Sequence, residues 1–137
     1  MSEESFVLND YERAYLEATI DFEGCIGLYK HTRRCGKGFS WEATVVIDNT
    51  NKAILEKVRQ ICRNKGSIVT TYNLYGEVYH YRIPVSVQRK ILPQLSLVIK
   101  EKKRQLLLTA LLYLQQGSHD NTHDEYLKLI SKDLKGE

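Results

Sequence analysis

Two carboxylates, Asp21 and Glu23, lie close together near the end of a segment with the spacing of an amphipathic helix. The segment spans residues 15–29 and reads YLEATIDFEGCIGLY, with Gly24 at the point where the helix should end. The backbone dipole disfavours negative charge at a helix C-terminus by about 0.3–1 kcal/mol for each group. A positive group is therefore expected close to these two acids.

Two other groups of residues resemble zinc ligands, and both are weaker signals. Cys25, His31 and Cys35 do not have a standard ligand spacing, and no fourth ligand is obvious. His119 and His123 lie four residues apart, as in HExxH, with Asp in the second place. A Gly-Ser pair precedes them and an Asn-Thr cap separates them. A loop-to-helix junction is therefore expected there, without a shared helical face.

The composition is that of one globular domain, residues 1–137, with 42% hydrophobic residues. The longest apolar run, residues 106–114, is far shorter than the ~20 residues that span a bilayer. The N-terminal MSEESF has the character of neither a signal nor a transit peptide. Three cysteines without a CxxC pair favour a reducing compartment. We therefore expect a cytoplasmic protein without a membrane association, and leave an organellar or phage origin open.

Charge is distributed unevenly along the chain. Residues 1–24 hold seven acids and one base, whereas residues 25–118 hold 16 Lys and Arg against five acids. A basic body between acidic ends suggests a polyanionic partner. The competing interpretation is an ordinary solvated surface that is rich in lysine.

Helices are predicted at both ends of the chain and between two strand pairs. Asn9 followed by Glu12 has the pattern of a capping box. In residues 49–66 apolar residues recur at helical spacing, with Asn49 or Asn51 as the cap and Gly66 as the stop. Further helices are predicted over residues 86–92, ended by Pro93, over 103–116, and over 122–134 with a Thr122–Glu125 box.

Strands are predicted over residues 25–30 and 39–48, and again over residues 67–74 and 78–85 around a turn at 75–77. The resulting order is αββαββα, followed by additional C-terminal helices. It predicts an α+β fold with an antiparallel four-stranded sheet and helices on one face. The core should cover about residues 9–116, with a helical extension at about 117–137.

The sheet face without helices is predicted to bind DNA. Flat rings and hydrogen-bond donors are concentrated in the strands and the first turn, where they could read base edges in the major groove. A face covered by a protein partner would carry fewer arginines in its turns. The predicted DNA-binding residues are Lys30, His31, Arg33, Arg34, Lys37, Trp41, Thr70, Thr71, Tyr72, Tyr75, Tyr79, Tyr81 and Arg82.

Residues 16–24, LEATIDFEG, resemble the motif of the LAGLIDADG homing endonucleases, and the predicted αββαββα order resembles the core of that family. Residues 46–52, VIDNTNK, are similar to the family's strand-to-helix junction, and residues 97–105, LVIKEKKRQ, to its basic segment. The chain departs from the motif at Glu17 and Ala18, which replace Ala and Gly, and at Glu23, which replaces Asp. Because the motif occurs once, the resemblance is to the single-motif, homodimeric type.

The resemblance implies a metal site where two copies of the first helix meet. Glu23 would bind Mg²⁺ (or Mn²⁺) together with the Phe22 backbone carbonyl. Lys102 corresponds to the basic residue near the cleaved phosphate, and Asp48 to the polar residue that contacts the water network. Both are therefore candidate catalytic residues, together with Glu23. The implied dimer interface comprises Tyr15, Ala18, Thr19, Asp21 and Phe22.

Asp21 is expected to have a different role from Glu23. Residues two apart on an ideal helix point about 200° away from each other, so both acids can face one metal only if the helix ends between them. We therefore predict that Asp21 is a structural or interface acid.

The activity that the resemblance implies is a double-strand break in a long, pseudo-palindromic DNA site of about twenty base pairs. Two alternatives remain open within the same family. The chain could be an intron RNA maturase, which would bind structured RNA. It could also be a LAGLIDADG-type DNA-binding protein that does not cleave.

Overall fold

A four-stranded antiparallel sheet, with the strand order β1-β2-β4-β3, forms the frame of the protein. The structure is a computed structural model that describes residues 6–32, 39–115 and 121–135. The strands are β1 (Gly24–Thr32), β2 (Phe39–Asn49), β3 (Ile68–Asn73) and β4 (Gly76–Arg82). Both predicted hairpins and the α+β class are confirmed.

Five α-helices accompany the sheet within the described residues, and all five predicted helices are present. They are α1 (Asp10–Glu23), α2 (Lys52–Ile61), α3 (Val85–Ile91), α4 (Glu101–Gln115) and α5 (Asn121–Lys135). The predicted capping box begins α1: Asn9 Oδ1 accepts the Glu12 N–H at 2.7 Å, and Glu12 Oε1 accepts the Asn9 N–H at 3.0 Å. Among these described helices, none has the length and apolar character to span a bilayer.

Three boundaries differ from the predictions. Helix α2 ends at Ile61 and not near Gly66, because Arg63 and Asn64 adopt left-handed conformations with φ of 62° and 60°. The second hairpin turns through two residues, since Asn73 pairs with Gly76, whose φ of 125° favours glycine. Pro93 lies inside a short 3₁₀ turn, Leu92–Gln94, that continues from α3.

Side chains of the strands alternate between two faces of the sheet. On one face, which we call the helix face, Val45, Ile47 and Tyr81 are fully buried together with α1 Leu16 and α2 Leu55. We call the opposite side the open face. By the strand register, its polar side chains include those of His31, Glu42, Asp48, Thr71, His80 and Arg82.

Candidate nucleic-acid interface

The buried Asp21 carboxylate binds the segment that leads into α4. It accepts the backbone N–H groups of Val98 at 2.7 Å, Ile99 at 3.1 Å and Lys100 at 3.0 Å, and the residue is only 5% exposed. The Lys100 ammonium also donates to the Asp21 carbonyl oxygen. Helix α4 begins at Glu101, so the Asp21 carboxylate lies next to the N-terminal end of that helix, where the backbone dipole is positive. The expected positive group therefore comes from the fold itself.

Glu17, one helical turn before Asp21, holds the same segment. Its carboxylate accepts the Ser96 N–H at 2.8 Å. The departure from the family motif at this position thus has a local explanation, because Glu17 points toward residues 96–100 and accepts a hydrogen bond there. Two acids of α1 together fix the start of α4.

Lys102 lies in the first turn of α4, two residues after Lys100. Its side chain is exposed and makes no hydrogen bond or ion pair with the described part of the chain. The carboxylate contacts of α1 therefore hold the segment that precedes this solvated cation. The sequence predicted Lys102 and Glu23 as catalytic, and the Asp21 hydrogen bonds join the two helix ends that carry them.

A bidentate ion pair strengthens the beginning of α4. Arg104 donates to the two Glu101 oxygens at 2.8 Å and 2.6 Å, and Glu101 also accepts the Leu97 N–H at 2.8 Å. These hydrogen bonds, that from Arg104 above all, lower the pKa of Glu101 to about 2. The carboxylate therefore stays charged and keeps the turn before Lys102 closed.

The Glu23 carboxylate is exposed and is oriented by Asn49, a residue that no sequence motif had indicated as part of the site. Asn49 Nδ2 donates to Glu23 Oε1 at 3.1 Å, while Asn49 Oδ1 accepts the Asn51 N–H at 2.8 Å. Asn51 in turn caps α2 through the Ala53 N–H. Helix α2 needs only one asparagine as its cap, and Asn51 fills that role. The presence of a second asparagine, Asn49, in the Asn-Thr-Asn junction was therefore the sequence signal for another role.

The oxygen atoms at the C-terminal end of α1 could serve as ligands for a metal ion that takes few ligands from the protein. The last hydrogen bond of α1 runs from the Gly24 N–H to the Ile20 carbonyl. The Phe22 carbonyl lies beyond it and therefore has no helical N–H partner, because the helix ends before residue 26. Together with Glu23 it offers one carboxylate and one carbonyl oxygen. Mg²⁺ is commonly bound by one or two carboxylates while phosphates and waters complete its shell. In the described residues, no three His, Cys, Asp or Glu side chains cluster as a metal cage would require.

Asp48 belongs to a separate polar network on the open face. Its carboxylate contacts His80 Nδ1 at 2.5 Å, and His80 Nε2 contacts the Thr71 hydroxyl at 2.7 Å. The network crosses β2, β4 and β3. Asp48 and Glu23 share no hydrogen bond, so the structure does not join them as it joins Asn49 to Glu23.

Glu42 is the centre of a second network on the open face. One of its oxygens contacts His31 Nε2 at 2.8 Å, and the other accepts a hydrogen bond from Arg82 Nη1 at 2.5 Å. His31, Arg82 and Thr71 were predicted to bind DNA and lie on this face. Tyr75 lies at the hairpin turn and is 96% exposed.

The prediction that Tyr81 contacts DNA is wrong. Its ring is fully buried on the helix face, and its hydroxyl donates to the Lys65 carbonyl at 2.6 Å. Burial also raises the pKa of Tyr81 well above its ordinary value. The prediction grouped consecutive residues, although neighbours along a strand point to opposite faces.

Five further residues that were predicted to contact DNA lie on the helix face by the same alternation, where Thr70 and Tyr72 remain exposed; their contact with DNA stays a prediction. Trp41 Nε1 donates to Asp124 of α5 at 3.0 Å, and Lys30 lies 3.5 Å from the same carboxylate. Tyr79 hydrogen-bonds Glu77 and lies under the Lys52 ammonium. By register, Thr70 and Tyr72 share the Tyr79 side of the sheet. Arg33, Arg34 and Lys37 lie outside the described residues.

The predicted interface residues of α1 divide into two groups. Thr19 and Asp21 are buried within the chain, where Thr19 Oγ1 donates to the Tyr15 carbonyl at 2.7 Å. Ala18 is exposed, Tyr15 is half-buried, and Phe22 is 71% exposed. The exposed members form an apolar stripe along α1.

Neither zinc hypothesis gains support from the described residues. Cys25 and His31 lie six residues apart on one extended strand, a separation of about 20 Å, so they cannot share an ion. Cys35 and His119 lie outside the described residues. The His123 ring packs 5.2 Å from the Tyr113 ring.

The fold matches solved structures of homing endonucleases. The archaeal intron-encoded homing endonuclease I-Vdi141I, complexed with DNA, has a TM-score of 0.78 at 17% identity, over 93% of this chain and 84% of that chain. I-CvuI, in complex with the I-CreI target, has a TM-score of 0.72 at 17% identity, over 93% and 83%. The LAGLIDADG homing endonuclease I-SmaMI, bound to cleaved DNA, has a TM-score of 0.71 at 22% identity, over 88% and 42%.

No protein-family model matches the chain, and no curated protein does. At these sequence identities, the structural matches establish the fold. They confirm that the predicted resemblance to LAGLIDADG homing endonucleases extends over most of the described chain.

Proposed function

We propose that this protein is a divalent-metal-dependent DNA endonuclease that acts as a homodimer and breaks both strands of a long, pseudo-palindromic site. The observation that carries the proposal is the arrangement at the end of α1. There, the exposed Glu23 lies at the edge of an open sheet, and the contacts of Asp21 hold the basic start of α4 beside it. The known proteins that share this fold include enzymes solved with DNA.

The residues of this chain have separable parts in the proposed reaction. Glu23 and the Phe22 carbonyl would hold Mg²⁺, and paired ions at the meeting point of two copies would stabilise the attacking and leaving oxygens of a phosphodiester. Asn49 orients the Glu23 carboxylate, whose arm is one methylene longer than that of Asp. Lys102 offers a cation to the charge that develops on the phosphate.

Dimerisation follows from the single acidic motif. One Glu23 serves one strand, so two copies are needed to cut both strands of a duplex. The exposed stripe that contains Ala18 and Phe22 gives α1 a surface for a second copy of the same helix. Two-fold symmetry in the protein calls for a roughly palindromic target.

The open face and the basic central region favour DNA as the partner. The polar side chains of Asp48, Thr71 and His80 project from a twisted sheet that can follow a major groove. The excess of Lys and Arg over acids in residues 25–118 favours phosphate contacts, which should make binding strongly dependent on salt.

A substitution of the proposed metal ligand tests the function. Purified protein should first be used to select its target from a palindromic library, and cleavage should then be measured with Mg²⁺ and with Mn²⁺. We expect Glu23→Gln to bind the selected DNA with unchanged affinity and to leave it uncut. Glu125→Gln, a change at an acid of α5 that is 73% exposed, is the matched control and should cut normally.

Three results would contradict the proposal. Cleavage that survives Glu23→Gln would refute the site assignment. Wild-type protein that binds the DNA but cuts it with neither metal would support the binding-only alternative. Tight binding to a structured intron RNA, with DNA left intact, would support the maturase alternative.

A further inference from the structure

We propose that Arg82 reads a guanine in the major groove and that Glu42 is the residue that positions it. The pair would determine specificity at one base pair of each half-site. This inference rests on the proposed function, because it assigns a role on the DNA-binding surface. It adds a specificity determinant, Glu42, that neither the motif nor the sequence pattern indicated.

The geometry of the open face supports a pre-arranged donor. Arg82 Nη1 donates to Glu42 Oε2, while His31 Nε2 contacts Glu42 Oε1, so one carboxylate connects side chains from β1 and β4. The side chains of Arg82 and His31 remain 58% and 55% exposed. Both can therefore reach a ligand without leaving the carboxylate.

A guanidinium that is already fixed by Glu42 is better placed to hydrogen-bond a base than to contact a phosphate. Arginine carries about 2 kcal/mol of rotamer entropy, and a side chain that is already held loses less of it on binding. Its remaining N–H donors can form the paired hydrogen bonds that guanine O6 and N7 accept. A phosphate at the same place would face the Glu42 carboxylate, and like charges repel at short range.

The strand register places this contact along the target. Gly24, next to Glu23, pairs with Ile47 of β2, whereas Arg82 pairs with Val46, one residue further along β2, and Glu42 lies four residues beyond Val46. The Arg82 side chain, which reaches from the Val46 position toward Glu42, therefore lies between about 3 Å and 17 Å along the strand from Ile47. At about 3.4 Å per base pair, the guanine should lie within roughly one to five base pairs of the cleaved phosphates, in mirrored positions of the two half-sites.

Four variants test the assignment, each used for binding selection from the palindromic library and for salt titration. Arg82→Ala should relax the preference at the one mirrored position, with a loss of discrimination of ~5- to 150-fold. Arg82→Lys should lose the same discrimination between bases at that position. It keeps the positive charge, so the dependence of DNA affinity on salt concentration, the salt slope, should not change. Glu42→Gln should lose part of this discrimination and steepen the salt slope, since the guanidinium is freed for phosphate contacts. Arg59→Ala, on α2, is the control and should leave the selected sequence unchanged.

Two results would contradict the roles assigned to Arg82 and Glu42. If Arg82→Ala weakens binding equally for all sequences and lowers the salt slope by about one, Arg82 holds a phosphate and the inference is wrong. A Glu42→Gln variant that is indistinguishable from wild type would remove the positioning role. Wild-type protein that selects no DNA sequence would overturn the proposed function as well, which separates the two failures.

Discussion

Replacing Asp21 by Asn tests the contact that fixes the start of α4. The carboxylate binds three backbone N–H groups, two on Oδ1 and one on Oδ2. Asn has a single acceptor oxygen. Depending on how its amide is oriented, either the Val98 N–H or the N–H groups of Ile99 and Lys100 would face the NH₂ group and lose their acceptor. Hydrogen bonds to charged groups contribute about 1.5–3 kcal/mol each, and they are not additive.

One opposing effect must be subtracted. Removing a negative charge from the C-terminal end of α1 relieves about 0.3–1 kcal/mol of unfavourable dipole interaction. We therefore expect Asp21→Asn to lower the free energy of unfolding by about 2–4 kcal/mol. For a chain of this length, the midpoint of thermal unfolding should fall by roughly 6–20 °C.

The assay is urea unfolding followed by circular dichroism at pH 7, at one fixed protein concentration, because the stability of the proposed dimer would depend on concentration. Glu17→Gln, which weakens one contact to Ser96, should cost about 1 kcal/mol. Glu23→Gln should have almost no effect on stability, since its side chain is exposed and Gln can still accept from Asn49. An Asp21→Asn variant that is as stable as wild type, or more stable, would refute the reasoning, because the dipole effect would then dominate.

Two further predictions concern Glu23 and the acid stability of α4. Asn49→Ala should raise the Mg²⁺ concentration needed for half-maximal cleavage several-fold, because the Glu23 carboxylate loses the side chain that orients it. The Asn51 N–H also loses its acceptor, but Asn51 still caps α2, so DNA affinity in Ca²⁺ should stay unchanged. Equal losses in both measurements would contradict this. The pKa of Glu101, about 2, lies below the ordinary value near 4.3, so its contribution to stability is present above pH ~4.3 and is lost as the pH falls toward 2. Unfolding in urea across this range should show a weaker pH dependence for Glu101→Gln than for wild type, and identical slopes would argue against the Arg104 contact as the cause.

The sequence by itself determined the helices and strands, and it identified the C-terminal end of α1, with Asp21 and Glu23, as the candidate site. The capping box at Asn9 and the apolar periodicity of α1 and α2 are local signals, because hydrogen bonds within one turn and burial of one face produce them. The alternating strands and the glycine-containing turn likewise predicted two hairpins. These features need no knowledge of distant residues.

Only the tertiary structure decided which side chains meet. In β4, Tyr79, His80, Tyr81 and Arg82 are all aromatic or polar, so composition does not distinguish the buried face from the open one. Pairing with β2 and the packing of helices place Tyr81 in the core and Arg82 outside. The role of Asp21 likewise depends on N–H groups 77–79 residues away in the chain. Such contacts arise from folding as a whole, because the energy that selects them is burial and hydrogen bonding between elements, which leaves no local pattern.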